Sequence, residues 1–295
     1  SVTVTNDAPV PVGGLVLGGM GGSVTLRAVA PLAVGGAVEV ADGATLVLDS
    51  PDDANTVAGD MTIRHGGTVT HTGPQASSTV LYRVNLSVGG DLLIESGGAI
   101  DVTGRGFARG YGPGRGSGSG SSQVGPSHGG LDERAALGTC YGSVFRPLAL
   151  GSPESGTLSG GGGGSVLVSV AGDLTVNGRI ESNGSGGSGG SIVLEAAVLR
   201  GTGTGSIAAN GVRGSSYAAG GGRIALYETE ATDWSAWKGS VSAVSSETNT
   251  DTAGNGTVYR QTASDKARGG VITVAGAGVG ATELPMAEDG AARTA

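Results

Sequence analysis

The 295-residue chain has a single cysteine, Cys140, so no disulfide can close within it and no cysteine-based metal centre is available. Aromatic residues make up only 3% of it, so any core must be filled by small branched side chains. Lysine is almost absent: Lys238 and Lys266 are the only two among 17 cations, against 25 acidic residues and a net charge of −8. That balance disfavours nucleic acid as a partner, because such binding neutralises phosphates with cations. No apolar run approaches the ~18 residues of a membrane span, so no membrane partner is expected either. There is no basic segment followed by an apolar stretch at Ser1, so the expectation is that any export signal is already gone or never existed. No Gly-x-x-x-x-Gly-Lys-[Ser/Thr] loop and no series of calcium-binding nonapeptides occurs, so neither a cofactor nor a metal is expected. His65, His71 and His128 are scattered along the chain, and a solvent-facing role suits His65 and His71 better than a metal pair.

Glycine is what the chain has in excess, at 61 positions. It is not spaced every third residue and there are only ten prolines, which excludes collagen. An apolar fraction of 38% excludes wholesale disorder. Between the glycines run short stretches of alternating apolar and polar residues, such as 45–48, 61–64, 91–94, 165–170 and 223–227. Runs of this period and length are strands. No convincing amphipathic helix is present; 131–137 is too short.

The strands repeat. Residues 34–46, 57–69 and 88–100 align as Val-x-Gly, a strand, a glycine turn and a second strand, and 170–180 is a fourth copy with a shorter turn. A second phrase, Gly-Gly before a strand, recurs at Gly22, Gly164, Gly190, Gly222 and Gly270. A spacing of roughly twenty residues marks stacked repeats that bury their apolar faces against one another. The expected fold is therefore all-β, one domain over 1–295, built as a single right-handed parallel β-helix of about ten coils, each of about 23 residues. The competing architecture is a sandwich, which Asn177-Gly178 and Asn210-Gly211 would suit as hairpin turns. Residues 104–164 read as a long Gly-rich insertion that folds back over one face. Residues 1–12 read as an extended N-terminal arm, and 282–295 as a tail.

In order along the chain stand Gly125-Pro-Ser-His-Gly-Gly130, Tyr141-Gly-Ser-Val-Phe-Arg-Pro147 and Leu150-Gly-Ser152. They are followed by 160–170, Leu174-Thr-Val-Asn-Gly178, Gly220-Gly-Gly-Arg-Ile-Ala-Leu-Tyr227 and Gly256-Thr-Val-Tyr259. As a set these phrases resemble the Gly-rich parallel β-helix repeat regions of very large bacterial cell-surface, adhesin-like proteins. The resemblance covers 80–274. It implies an extracellular or cell-surface, structural or adhesive role and brings no catalytic residues with it.

Three functions follow as expectations. The first is a structural extracellular subunit, a homopolymer stacked head to tail. Its contacts would be terminal strands carrying Val2, Val4, Val10 and Val12 at one end and Val271, Ile272 and Val274 at the other, because unpaired strand edges recruit further strands. The second is binding of surface glycans, with Trp234, Trp237, Tyr111 and Tyr141 as stacking platforms. The third is a polysaccharide lyase or hydrolase using two carboxylates across a groove, with Glu95, Asp101, Glu181 and Glu195 as candidates. The leading expectation is that the protein is not an enzyme.

Overall fold

The computed structural model describes residues 2–6, 11–18, 21–118, 124–132, 134, 140–155, 160–214, 217–246, 252–274 and 281–284. Its 23 strands form three sheets, and every third strand along the repeats enters the same sheet. Among the described residues there is no helix, and so none long and apolar enough to cross a membrane.

The first sheet has eight strands, all paired in parallel: β1 (Val2–Asn6), β4 (Val24–Ala28), β7 (Ala44–Leu48), β10 (Thr68–Thr70), β13 (Ala99–Asp101), β16 (Arg179–Glu181), β19 (Ser206–Ala208) and β21 (Ser240–Ser242). The second has nine: β2 (Pro11–Val12), β5 (Ala33–Val34), β8 (Asn55–Val57), β11 (Val84–Val88), β14 (Ser165–Val170), β17 (Ser191–Ala196), β20 (Arg223–Glu228), β22 (Thr257–Gln261) and β23 (Val271–Thr273). The third has six: β3 (Leu15–Leu17), β6 (Val38–Val40), β9 (Met61–Ile63), β12 (Leu92–Ile94), β15 (Leu174–Val176) and β18 (Leu199–Arg200).

The sequence repeat sets the register. Val34 pairs with Val57, Val57 with Val88 and Val88 with Val170, so the valine that opens each repeat forms one buried column. Alternation does the rest: in β7, Ala44, Leu46 and Leu48 are buried while Thr45 and Val47 are half-buried. Inward Val, Leu and Ile from all three sheets make one apolar core with almost no aromatic content. The second glycine of the repeat, at Gly43, Gly66 and Gly97, sits at φ +72, +75 and +84. There the chain turns from the third sheet to the first, in a conformation that a Cβ would disfavour.

The expectation of a single right-handed β-helix of about ten coils is corrected. The strands lie in three mostly parallel sheets side by side, none closed, of eight, nine and six strands. The sheets are unequal because the repeat stops short of the chain's end. The third sheet ends at β18, and β23 runs antiparallel to β22. Residues 102–164 contribute no strand to the sheets among the described residues. They are not a free loop, however: Phe107, Leu131, Val144, Phe145 and Leu150 are all buried. Val144 and Phe145 pack with Val193, Ala225 and Tyr259 as a second, smaller apolar cluster on the outer face of the nine-stranded sheet. The expected tail also begins packed, since Thr282 bridges to Gly130 and donates its hydroxyl to the Asn255 carbonyl.

Candidate assembly edges and outer groove

At the C-terminal end of the stack the three sheets finish differently. In the third sheet, the first amide of each strand donates to a main-chain carbonyl of the next layer: Val38 to Asp60, Met61 to Asp91, Leu92 to Asp173 and Leu174 to Val198. Leu199 in β18 has no next layer, and its amide donates instead to Glu228 Oε1 at 2.7 Å. Glu228 pairs with Ala196 in the layer beyond the valine column, so a carboxylate stands where the earlier layers carry a valine. Trp237 bridges in parallel to Gly201, and the Lys238 amide donates to the Gly201 carbonyl at 3.1 Å. The edge of the third sheet is thus closed by side-chain and loop groups.

Glu228 is 3% exposed, and its second oxygen has no hydrogen-bond partner. Burial holds its carboxyl above the usual range. Burial penalises the charged form, so the stability at stake is complete below the unfolded pKa and is lost as pH rises through the folded one. Glu228→Gln keeps an acceptor for the Leu199 amide and removes the buried charge. Thermal unfolding at pH 8 is expected to show a gain of about 1 kcal/mol, shrinking to nothing near pH 4. A variant less stable at pH 8 would show that the charge is held by the fold rather than endured.

The eight-stranded sheet is left open at this end. Among the described residues β21 pairs only with β19. Beside it lies a cavity of about 450 Å³ lined by Val241, Ala243, Val244, Val258 and Arg260, and the Arg260 guanidinium lies 5.4 Å from the Trp234 ring centre. At the opposite end β1, β2 and β3 are the outer strands of their sheets. Val12 and Leu15 are only half-buried there, and Val16 is 70% exposed.

Described residues of the 104–164 segment cover part of the outer face of the nine-stranded sheet, fastened through buried polar groups. Arg223 is fully buried and donates to the Tyr141 carbonyl at 2.8 Å, to Thr257 Oγ1 at 3.2 Å and to the Glu283 carbonyl at 3.0 Å. Burial lowers its pKa to about 10. His128 stacks on Tyr141 with ring centres 4.5 Å apart and donates from Nδ1 to the Gly189 carbonyl at 2.7 Å. Cys140 is free and buried, donating to the Gly129 carbonyl, and burial pushes its thiol up to about 11. A thiol held protonated in this way is a poor nucleophile. Where the covering segment ends, a groove of about 490 Å³ opens between Phe145 and Arg146 on one side, the 262–268 turn on the other, and the sheet beneath.

The structure separates most of the residues singled out from the sequence. Val2 and Val4 lie in β1, Val12 in β2, and Val10 lies outside the described residues. Val271 and Val274 are exposed, while Ile272 packs on the second cluster. They belong to the reversed strand β23 and its exit, so they do not continue a parallel sheet. The four aromatic residues do not form one platform. Trp237 is buried in the main core, Trp234 is half-buried under Arg260, and Tyr141 donates its hydroxyl to the Leu150 carbonyl beneath His128. Only Tyr111 is exposed.

The four carboxylates do not face one another across a cleft either. Glu95 pairs with Arg64 at 2.6 Å, whereas Asp101 and Glu181 are register neighbours sharing Arg179 at 3.6 and 3.2 Å. Glu195 stands alone on the outer face of the nine-stranded sheet, in the groove. The solvent-facing role expected of both histidines is corrected for His71, which is fully buried, while His65 is exposed. Groups of three or more metal-ligating side chains are absent among the described residues. Sequence reasoning missed Glu228 and the groove. The signal for Glu228 was a carboxylate in a valine phase, and the signal for the groove was Tyr227 in the outward phase of its strand. No family model, no curated protein and no solved structure matches the chain.

Proposed function

We propose that the protein is a structural subunit of an extracellular or cell-surface assembly, joined end to end through its eight-stranded sheet. The observation that carries this reading is the pairing pattern: β1 and β21 are the two outer strands of one wholly parallel sheet. A contact between β21 of one copy and β1 of the next continues the sheet in the same sense. It also covers the apolar cavity beside Val241 and Val258. Such a contact joins two different surfaces and does not close on itself, which builds filaments rather than dimers. The other two sheets guide it by exclusion, since β18 is sealed by Glu228 and Trp237 and β23 ends the parallel run. The role is non-catalytic in this reading. In support, Glu95, Asp101 and Glu181 are engaged in surface ion pairs, and the Cys140 thiol is buried.

Negative-stain microscopy and sedimentation velocity test the proposal. Wild-type chain is expected to form thin filaments and their short precursors as concentration rises. Deleting 1–6, or placing a charge on the receiving edge with Val241→Lys, is expected to leave monomers that keep the wild-type circular dichroism spectrum. Monomeric wild type at every concentration, or filaments unaffected by both changes, would overturn it.

A further inference from the structure

We propose that the groove on the outer face of the nine-stranded sheet is a binding site for neutral carbohydrate. Its floor is a register row: Glu195 pairs with Tyr227 and Tyr227 with Gln261, each in the outward phase of its strand. Arg146 comes from the covering segment, and Asp265 and Arg268 come from the turn after β22. The volume of about 490 Å³ lies within the range of small-molecule sites.

The site is held rigid from below. Tyr227 donates its hydroxyl to the Phe145 carbonyl, which joins the sheet to the covering segment. Tyr259 meets Phe145 and Tyr227 edge to face at 5.0 and 5.6 Å. Tyr259 also donates to Gln261 Oε1 at 2.7 Å, and the same oxygen accepts the Arg268 amide at 3.1 Å. Arg268 is held at φ 60, a conformation that a non-glycine residue rarely adopts, with its guanidinium 5.2 Å from the Phe145 ring centre. Strain of that kind persists only where surrounding contacts impose it, and it concentrates at binding sites.

The charges select the ligand class. Two guanidinium groups, Arg146 and Arg268, line the groove with three carboxylates: the exposed Glu195, the buried Glu228, and Asp265, whose Oδ2 accepts the Thr262 amide and hydroxyl. A polyanion would meet the carboxylates and a polycation the guanidiniums. A pyranose suits all of them: vicinal hydroxyls donate to a carboxylate and accept from a guanidinium, and the C–H face of the ring lies on Tyr227. The site is independent of β1 and β21, so it stands whether or not the chain polymerises.

A glycan array followed by calorimetric titration with neutral oligosaccharides tests the proposal on the full chain. Neutral glycans are expected to bind with dissociation constants on the order of 0.1–1 mM, unchanged between about 0.05 and about 0.5 M salt. Glu195 and Arg146 are both exposed, so Glu195→Ala and Arg146→Ala should fold as wild type does. Each is expected to weaken binding roughly tenfold at unchanged melting temperature, the loss of one charged hydrogen bond. The same binding by the Val241→Lys monomer is expected, and it separates this site from assembly. Three results would overturn the proposal: no neutral glycan bound, acidic glycans bound only at low salt, or full affinity retained in both alanine variants.

Discussion

Between pH 7 and pH 4 the protein is expected to lose about 6 kcal/mol of stability through two histidines, His71 and His128. Both are fully buried, and burial lowers their pKa values from 6.5 to about 4 and about 3. The surroundings explain why neither ring accepts a second proton. His71 donates from Nδ1 to the Thr72 carbonyl at 2.8 Å and accepts the Ser165 amide on Nε2 at 3.2 Å. Protonating Nε2 would set one N–H against another. In His128, Nδ1 is spent on the Gly189 carbonyl, Nε2 has no partner, and the Arg223 charge lies near. An added proton there would be a buried cation beside a second one.

The sign follows from where the protons go. Above pH 6.5 both imidazoles are neutral in the folded and unfolded chain alike, and they contribute no pH dependence. Below it the unfolded chain takes up two protons that the folded chain refuses, so stability falls by about 2.7 kcal/mol per pH unit. Each histidine accounts for about 3 kcal/mol by pH 4. Domains hold about 5–15 kcal/mol in total, so the loss is a large fraction of the stability and the urea midpoint is expected to fall steeply by pH 4. Urea unfolding followed by circular dichroism at pH 7, 5.5 and 4 measures the slope. His128→Gln retains a donor for the Gly189 carbonyl without a titrating group, and its slope is expected to fall to about half. A midpoint flat from pH 7 to pH 4 would show that the rings are reached by solvent.

How far the fold could be read in advance differs along the chain. The Val-x-Gly repeat carried the register correctly from Val34 to Val170, because the period-two alternation and the positive-φ glycines are local features. The number of layers and the ends were not legible. They depend on where the repeat is abandoned, and the groups that replace it are single residues, such as Glu228 accepting the Leu199 amide and Trp237 against Gly201. The covering segment read as an insertion folding back over one face, but its anchor, Arg223, lies in a strand that read as ordinary. The groove was the least legible feature. It joins residues from Phe145 to Arg268 that meet only because Tyr227 and Gln261 share a register row.

The Gly-Gly phrase leads to the second large effect, expected from Gly222→Ala. Gly164, Gly190, Gly222 and Gly256 each immediately precede a strand of the nine-stranded sheet, at β14, β17, β20 and β22. A Cβ on Gly222 would lie within 3.0 Å of the Gly190 carbonyl oxygen and of Gly189, and one on Gly256 would strike the Gly222 carbonyl in the same way. These are main-chain atoms of the preceding layer and cannot turn aside as a side chain would. Three of the four positions carry the phrase read from the sequence, while Gly22 and Gly270 carry it outside this column. Gly190, Gly222 and Gly256 provide close approach of one backbone to another rather than an unusual φ, whereas Gly164 makes room for the His71 and Val102 side chains. One methyl group therefore forces the layers apart where the Gly222 amide donates to the Ala209 carbonyl at 2.8 Å and the Gly129 and Gly130 amides donate to Gly221. Overpacking of a rigid site costs about 3 kcal/mol, and the layer also anchors the covering segment through Arg223. Gly222→Ala is accordingly expected to lower the urea midpoint sharply and to admit proteases between 104 and 164 at concentrations that leave wild type intact. Gly203→Ala is the control, since a Cβ there meets nothing within 4 Å and should change neither measurement. Equal behaviour of the two variants would mean that the glycine column is not packed backbone to backbone.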